Sequence, residues 1–327
     1  MSKILITGGS GFVGTNLISM LITKKKYQIM NIDIANPKLD LHDKYWNPCD
    51  ILDRSKIIES FSSFNPDFVI HLAAKVDVDG ISLDDYIVNI TGTKNILDAI
   101  QDTKSVKKVI ITSTQFVNQY NGVPKHDEDF APHTVYGESK VITEQLTRKS
   151  NLKCCWTIIR PTNIWGPWHW RYPHEFWKVI ADGKYYHPIG KKVTRSYGYV
   201  GNVVWQIQRI LEIEEDKVNR QVFYVGDKPI NILDWVNGFS NMQIGKNVRL
   251  IHPLFIKSLA IFGDVLKLIG LKFPITSSRF KSMTTSNDAP MNKTFEVLGD
   301  PPYKLEESIR ETVDWLKINY PHLVKVK

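Results

Sequence analysis

Ile4-Leu5-Ile6-Thr7-Gly8-Gly9-Ser10-Gly11-Phe12-Val13-Gly14 joins an apolar run of strand length to a glycine turn and the start of a helical pattern. Gly9-x-Gly11-x-x-Gly14 fits a dinucleotide fingerprint, and Gly8-x-x-Gly11-x-x-Gly14 fits a variant of it. The chemistry needs small residues here. A tight turn requires positive φ, the backbone must approach a pyrophosphate, and the helix N-terminus offers its N–H groups to the negative charge. The glycine spacing alone is a weak signal, but its context strengthens it. Asp33 closes the next apolar run, 19 residues after Gly14. A carboxylate at that place accepts hydrogen bonds from an adenosine ribose and repels a 2′-phosphate. Ile34-Ala35-Asn36 follow it and bring no arginine, so the pattern favours NAD over NADP.

The rest of the first half repeats the alternation. Lys3–Thr7, Gln28–Asp33, Phe68–Leu72, Val109–Thr114 and Cys154–Arg160 are apolar bursts of strand length. Phe12–Thr23, Arg54–Phe64, Asn89–Ile100 and Val135–Lys149 carry apolar residues at helical spacing. Alternation of this kind predicts an α/β protein, a doubly wound parallel sheet of the Rossmann fold. After Arg160 the pattern changes. Pro161, Gly166-Pro167, Pro173, Gly183 and Pro188 break a segment dense in Trp, Tyr and His. Tyr197–Val204 and Gln221–Val225 read as strands again, and helices are expected near 230–239, 254–268 and 305–319. The reading divides the chain into an NAD-binding region, 1–163, to which 195–225 returns, and a smaller interleaved substrate-binding region, 164–194 and 226–327.

Val135-Tyr136-Gly137-Glu138-Ser139-Lys140 places Tyr136 and Lys140 on one helix face, one turn apart. A phenol with its ordinary pKa of about 10 is a poor base at neutral pH, and bringing it to about 7 asks for roughly 4 kcal/mol. A unit positive charge at about 5–6 Å supplies roughly 3 kcal/mol at an effective dielectric of about 20. Lys140 together with an oxidised nicotinamide is therefore sufficient in magnitude. A lone Tyr-x-x-x-Lys is ordinarily a surface pair, but here it follows a dinucleotide loop and four strand–helix units. Thr114 ends the run Val109-Ile110-Ile111-Thr112-Ser113-Thr114, where a hydroxyl beyond a strand C-terminus points at ligand. The competing role for such hydroxyls is to satisfy loop backbone.

Bulk properties narrow the classes. The chain has 327 residues, 43% hydrophobic and 23% charged, with a formal charge of +8, which suits an anionic ligand. Lys24-Lys25-Lys26 is the only run of three cations and falls where the first helix ends, complementing its dipole, so nucleic acid is not expected as a partner. Cys49, Cys154 and Cys155 show no metal-binding spacing, and no metal site or disulfide is expected. Met1-Ser2-Lys3 leads straight into a strand without the layout of a signal peptide, which predicts a cytoplasmic protein. Ile251 to Phe273 is the most apolar later stretch, but Lys257, Asp264 and Lys267 interrupt it. It reads as a helix packed on the protein, or as a face for a membrane surface or partner, and not as a span.

Taken together, these motifs resemble the extended short-chain dehydrogenase/reductase family, in its nucleotide-sugar epimerase/dehydratase branch. The resemblance includes Asp50-Ile51-Leu52-Asp53, His71-Leu72-Ala73-Ala74, Asn89-Ile90-Thr91-Gly92-Thr93, Arg160-Pro161-Thr162-Asn163-Ile164-Trp165-Gly166-Pro167 and Leu305-Glu306-Glu307-Ser308-Ile309, and runs over nearly the whole chain. It implies that Gly8, Gly11, Phe12, Val13 and Gly14 cradle the pyrophosphate and that Asp33 holds the ribose. Asp53 with Ile51 or Leu52 would flank the adenine, while Leu72, Ala73, Ala74 and Asn89 line the cofactor channel. Tyr136 would transfer the proton. Lys140 would lower its pKa and bind the nicotinamide ribose, and Thr114 would bond the reacting oxygen. Asn163 would contact substrate and Arg195 would bind its phosphates. Trp165 stands where the family more usually has Tyr, and it can stack on a sugar or base or equally well pack in the core. Arg279 joins Arg195 by its position in the later region and not by a motif. Family members often dimerise through a helix pair that here would include Val135–Lys149.

Departures from the pattern matter as well. Gln115-Phe116 stand where the dehydratases carry an Asp-Glu pair, and neither can act as an acid. Val200-Gly201-Asn202-Val203 also resembles the 3β-hydroxysteroid dehydrogenase branch. The preferred reading is an NAD-dependent epimerase of a nucleotide diphosphate sugar, working through a transient keto intermediate. The alternative is a ketoreductase or dehydrogenase acting on a keto nucleotide sugar or a 3β-hydroxysteroid-like alcohol. A cofactor-binding regulator without catalysis is a third class, disfavoured because both Tyr136 and Lys140 are intact.

Overall fold

The apolar runs of the first half become parallel strands: β1 (Ser2–Thr7), β2 (Tyr27–Asp33), β3 (Trp46–Pro48), β4 (Phe68–His71), β5 (Lys108–Thr112) and β6 (Cys155–Pro161). With the later strand Gln221–Val225 they form one seven-stranded sheet, in the order Gln221–Val225, β6, β5, β4, β1, β2, β3. Every neighbouring pair is parallel. The computed structural model describes all residues except Tyr120, Asn121, Lys272, Pro274 and Lys327. The chain forms two compact units. The first comprises Met1–Ile164, Val200–Gly226 and Pro290–Pro302, and the second Trp165–Tyr199, Asp227–Ala289 and Tyr303–Lys327.

In the first unit the strands are apolar on both pleats because helices cover both faces. Leu5, Val69, Val109, Ile158 and Val222 join one core cluster with Ile57, Phe61, Ile96 and Ile100 of α2 (Arg54–Phe64) and α3 (Thr93–Asp102). Ile4, Ile6, Ile70, Ile110 and Ile159, on the opposite pleat, are equally buried. The helix α1 (Phe12–Lys24) packs against the helix Val200–Glu212, and α3 packs against both α2 and α4 (Val135–Lys149). The strand order reverses between β1 and β4, and ligands of such sheets bind beyond the strand ends at that crevice.

Two elements differ from the sequence reading. Val200–Val204 was expected to extend a strand, but the strand stops at Tyr199 and a helix runs from Val200 to Glu212. Its β-branched residues suggest a strand, yet Val200, Val203, Val204, Ile207 and Ile210 repeat at helical spacing and all are buried. Asn89–Ile100 was expected as one helix. Instead a wide π-type turn, Val88–Gly92, leads into α3. Segment 290–302 also joins the first unit, a return the sequence pattern did not announce. The Thr294 hydroxyl donates to the Tyr224 carbonyl, 2.6 Å, and Leu298 is buried.

The second unit is built around aromatic rings. Trp165, Trp177, Trp235 and Phe239 are almost wholly buried. Phe176 stacks on Trp235 with centroids 4.5 Å apart and planes at 11°. Helices Phe176–Ala181, Ile232–Ile244, Pro253–Leu268, Ser277–Thr284 and Leu305–Asn319 supply its framework. No helix among the described residues is long and apolar enough to cross a membrane.

A buried ion pair ties α4 to β6. The Arg160 guanidinium donates from Nε and Nη2 to the two carboxylate oxygens of Glu144, each at 2.8 Å, and from Nη1 to Tyr224 Oη at 3.0 Å. Neither charged side chain reaches solvent. Removing one partner strands the other charge in a low-dielectric interior, at a cost of about 3–5 kcal/mol. Glu144→Ala is therefore expected to lower unfolding stability by about that amount in urea titration. A midpoint within error of the unmodified protein would contradict this account.

Candidate active site

The glycine turn is held by its backbone. Gly8 has φ +73°, and a Cβ there would lie 2.6 Å from the Ala73 nitrogen. A Cβ on Gly14 would lie 2.4 Å from the Gly8 oxygen. Gly8 N donates to Ile32 O at 3.0 Å, Gly9 N to Asn31 Oδ1 at 2.8 Å and Ser10 N to Asp33 Oδ2 at 2.9 Å. The turn is thereby fastened to the end of β2 and brings Asp33 beside it. Gly11 is the N-cap of α1, so no side chain caps that terminus, and no acid stands in its first turn. A helix end of this kind is suited to a phosphate. The residues present therefore fit a dinucleotide pyrophosphate: a side chain at Gly8 or Gly14 would collide with backbone and force the turn out of this shape.

The loop after β4 closes on the same turn. Leu72 N donates to Thr7 O at 3.0 Å and Ala73 N to Thr7 Oγ1 at 3.1 Å, which sets Leu72 and Ala73 against Gly8, with Ala74 next in the chain. Ile51 is buried, and its side chain packs where Gly92 leaves room, while Leu52 is exposed. Asp53 also has a local duty as N-cap of α2, accepting from Lys56 N.

α4 carries Tyr136 and Lys140 into the unit's interior. The Thr134 hydroxyl caps the helix by accepting from Gly137 N, 3.0 Å. A Cβ on Gly137 would lie 2.4 Å from the Phe116 carbonyl oxygen, so α4 sits tight against the loop after β5. Tyr136 is 7% exposed and Lys140 2%. Lys140 Nζ donates to the Thr112 carbonyl at 2.9 Å. Burial brings the Lys140 ammonium down to about 8, partly offset by Glu144, so it remains mostly charged at neutral pH. Burial pushes the Tyr136 phenol up to about 12, against which Thr114 contributes a side-chain hydrogen bond. Thr114 is within side-chain hydrogen-bond reach of Tyr136, and its Oγ1 also accepts from Phe116 N at 3.3 Å, the loop-backbone role. Taking the phenol from about 12 to about 7 would ask for roughly 7 kcal/mol, more than one ammonium supplies.

Several polar residues here have partners that the sequence reading did not supply. Asn89, expected along the cofactor channel, places its amide in a clamp. It accepts from Lys75 N at 2.8 Å and donates to Lys75 O and to Ser139 Oγ, both at 3.0 Å. It thereby fixes α4 at the residue before Lys140. Tyr86 packs on Tyr136, centroids 5.9 Å apart. His71 lies between Thr7 Oγ1, 2.7 Å from Nδ1, and Thr93 Oγ1, 3.0 Å from Nε2. Burial first, and then the charge of Lys140, brings it down to about 3. The signal for Asn31 and His71 is a polar residue at the C-terminal part of an apolar strand, which only the fold shows to be buried.

Gln115 and Phe116 both face the site. Gln115 Nε2 donates to Asn163 Oδ1 at 3.3 Å, and the Phe116 ring meets Tyr136 edge-on, centroids 6.3 Å apart. In the second unit, Trp165 is corrected. It is fully buried, packed at 5.2–5.8 Å against Tyr199, Trp235 and Phe239, so its ring stacks on protein and not on substrate. Arg195 is buried, donating to the carbonyls of Ser282 and Thr285 at the end of the Ser277–Thr284 helix. Arg279 sits on the first turn of that same helix, half-exposed, with Glu175 at 3.6 Å.

Two outcomes follow. Gly14→Ala is expected to weaken NAD binding on the order of tenfold or more, through strain of about 1–3 kcal/mol in the turn, read as nucleotide retained on purification. Unchanged retention would show that the cradle is elsewhere. His71 stays neutral in the folded chain down to about pH 3 but takes up a proton near 6.5 when unfolded. Between those values the unfolded chain binds more protons, so stability falls as pH drops through that window. His169, also brought down to about 3, adds to the slope. The thermal midpoint of His71→Gln should fall less steeply with acid, and a parallel profile would refute the assignment.

Comparison with known proteins agrees with this geometry. The sequence profile of the NAD dependent epimerase/dehydratase family matches residues 4–226. The N-acetyl-alpha-D-glucosaminyl-diphospho-ditrans,octacis-undecaprenol 4-epimerase of Escherichia coli O157:H7 is 28% identical over 325 residues, 96% of this chain and 95% of that protein. The 3 beta-hydroxysteroid dehydrogenase/Delta 5-->4-isomerase of vaccinia virus (strain Copenhagen) is 27% identical, covering 97% of this chain and 99% of its own. Among solved structures, UDP-glucuronic acid 4-epimerase from Bacillus cereus, in complex with UDP-glucuronic acid and NAD, superposes with a TM-score of 0.73 at 21% identity, covering 97% of this chain and 100% of the other. A parallel sheet, a glycine cradle at its switch point and a buried Tyr–Lys helix face thus meet in one lineage: the chain belongs to the NAD dependent epimerase/dehydratase family and is an NAD-dependent enzyme of the extended short-chain dehydrogenase/reductase type.

Proposed function

We propose that this chain epimerises a sugar activated by a diphosphate, a nucleotide sugar being the first candidate substrate. The observation that carries the reading is the buried face of α4, with Tyr136 in hydrogen-bond reach of Thr114 and Lys140 anchored on Thr112. NAD, when bound, supplies the carbon that takes up and returns the substrate's hydride, and its oxidised ring adds a positive charge. The chain's own residues handle the proton. Tyr136 Oη takes the proton of the sugar hydroxyl and later gives it back. Thr114 holds the reacting oxygen against Tyr136. Lys140 Nζ favours the phenolate and is kept in place by the Thr112 carbonyl.

Gln115 offers a polar but proton-neutral side chain where elimination would need an acid, and its bond to Asn163 favours holding the sugar over dehydrating it. Arg195 and Arg279, gathered by one helix of the second unit, are the proposed diphosphate contacts. The full-length similarity to the Escherichia coli O157:H7 enzyme favours a second carrier for the same sugar diphosphate, a polyprenyl lipid.

The test is to incubate the purified enzyme with UDP-glucose, UDP-glucuronic acid and undecaprenyl-diphosphate N-acetylglucosamine, following epimer formation by NMR and the cofactor by absorbance. Epimer without net NADH change is expected. Stoichiometric oxidation or reduction of the cofactor would replace the epimerase with the dehydrogenase reading. Tyr136→Phe should lower kcat about 10²–10⁴-fold while retaining NAD. An unaffected kcat would remove Tyr136 from the chemistry.

A further inference from the structure

The helix Pro253–Leu268 is apolar on two opposite sides. At about 100° per residue, Ile256, Ala260 and Gly263 share one side, and all three are buried in the second unit. Leu254, Ile261, Val265 and Leu268 lie on the opposite side, with Phe255 and Phe262 on its flank, and each of these six is more than half exposed. A helix that packs on a protein and faces water is polar on its outer side. Here the single polar residue on the outer arc, Ser258, donates its hydroxyl back to the Leu254 carbonyl at 3.0 Å. Ile269 and Leu271, exposed at 66% and 55%, prolong the patch beyond the helix.

The face is built, not frayed. A Cβ on Gly263 would lie 1.9 Å from the Ile275 carbonyl oxygen, so the following segment crosses the helix at contact distance. Phe273 packs edge-on against Phe262, centroids 5.6 Å apart. Asp264 accepts from Ser277 N at 3.2 Å, fastening the start of the next helix.

Charge identifies the occupant. From Lys246 to Lys281 the sequence has seven basic residues, Lys246, Arg249, Lys257, Lys267, Lys272, Arg279 and Lys281, against one acid, Asp264. The segment thus carries six of the chain's eight net positive charges, and Lys257 and Lys267, on the helix itself, are exposed. An exposed apolar helix face with cations beside it is the composition of an interfacial helix on an anionic bilayer. We propose that the outer face of the Pro253–Leu268 helix docks the enzyme on an anionic lipid surface. For its purpose, reaching a lipid-linked sugar diphosphate, the proposal rests on the second carrier suggested above. The docking does not depend on that carrier.

The test is flotation of the full-length enzyme with vesicles of phosphatidylcholine and phosphatidylglycerol in equal parts, or of phosphatidylcholine alone. The enzyme is expected to float with the anionic vesicles and far less with the neutral ones. Combined Leu254→Gln, Ile261→Gln and Val265→Gln substitutions should lower partitioning at least about tenfold, with thermal midpoint and NAD content unchanged. Leu268→Gln with Ile269→Gln, at solvent-facing positions of the helix end, should lower it in the same direction. An enzyme that stays with the vesicle-free fraction, or variants that float as well as the parent, would overturn the proposal. So would a parent that ignores vesicles but is a dimer that the triple variant splits, since the face would then be a subunit interface. Tyr136→Phe should float like the parent. If docking is observed but no sugar is epimerised, the epimerase reading fails and the docking stands.

Discussion

An ammonium and a phenol buried one helical turn apart set the terms for the rest of the structure. Each loses hydration, and each responds in the direction burial dictates: Lys140 toward its neutral form, Tyr136 away from its charged one. The protein compensates with a few fixed polar atoms, the Thr112 carbonyl on Lys140 and the Thr114 hydroxyl on Tyr136. Thr112 ends β5 and Thr114 lies two residues beyond it. The strand end and the loop after it therefore supply hydrogen-bond partners where α4 buries Tyr136 and Lys140.

That arrangement depends on precise placement of α4, and the placement has several anchors. Glu144 binds the buried Arg160 of β6, Ser139 is held by Asn89, and Gly137 admits the loop after β5 at contact distance. Each fixes the helix within one or two turns of Tyr136 and Lys140. The second unit has an aromatic core and holds Arg195 on the end of the short helix that carries Arg279, the two residues proposed for the substrate's phosphates. The same unit bears the helix with the exposed apolar face.

Much of this was legible in the order of residues. The glycine spacing, Asp33 and the Tyr–Lys interval lie on or beside regular elements whose periodicity is local, so the fold class and the NAD cofactor could be read directly. The phenol's acidity is not set by the motif alone. An unperturbed phenol asked for roughly 4 kcal/mol, whereas burial raises the demand to roughly 7, because desolvation belongs to the packed interior and not to the motif. The valines after Tyr199 read as strand because β-branching and helical spacing coexist in them, and packing resolved the conflict. Trp165 read equally well as a substrate platform or as core, and its neighbours from distant parts of the chain decided for the core.

By itself, then, the sequence determined the parallel α/β architecture, the cofactor cradle and the tyrosine–lysine pair, since these follow from periodicity and short spacing. Tertiary structure alone decided which polar groups are buried together: His71 between two threonines, Asn89 clamped to Ser139, Gln115 bonded to Asn163, Arg195 closing on Ser282 and Thr285. It also decided which side of the Pro253–Leu268 helix is covered and which is bare. The physical reason is common to all of them. A side chain's pKa, partners and exposure depend on residues tens of positions away, and those meet only when the chain has packed.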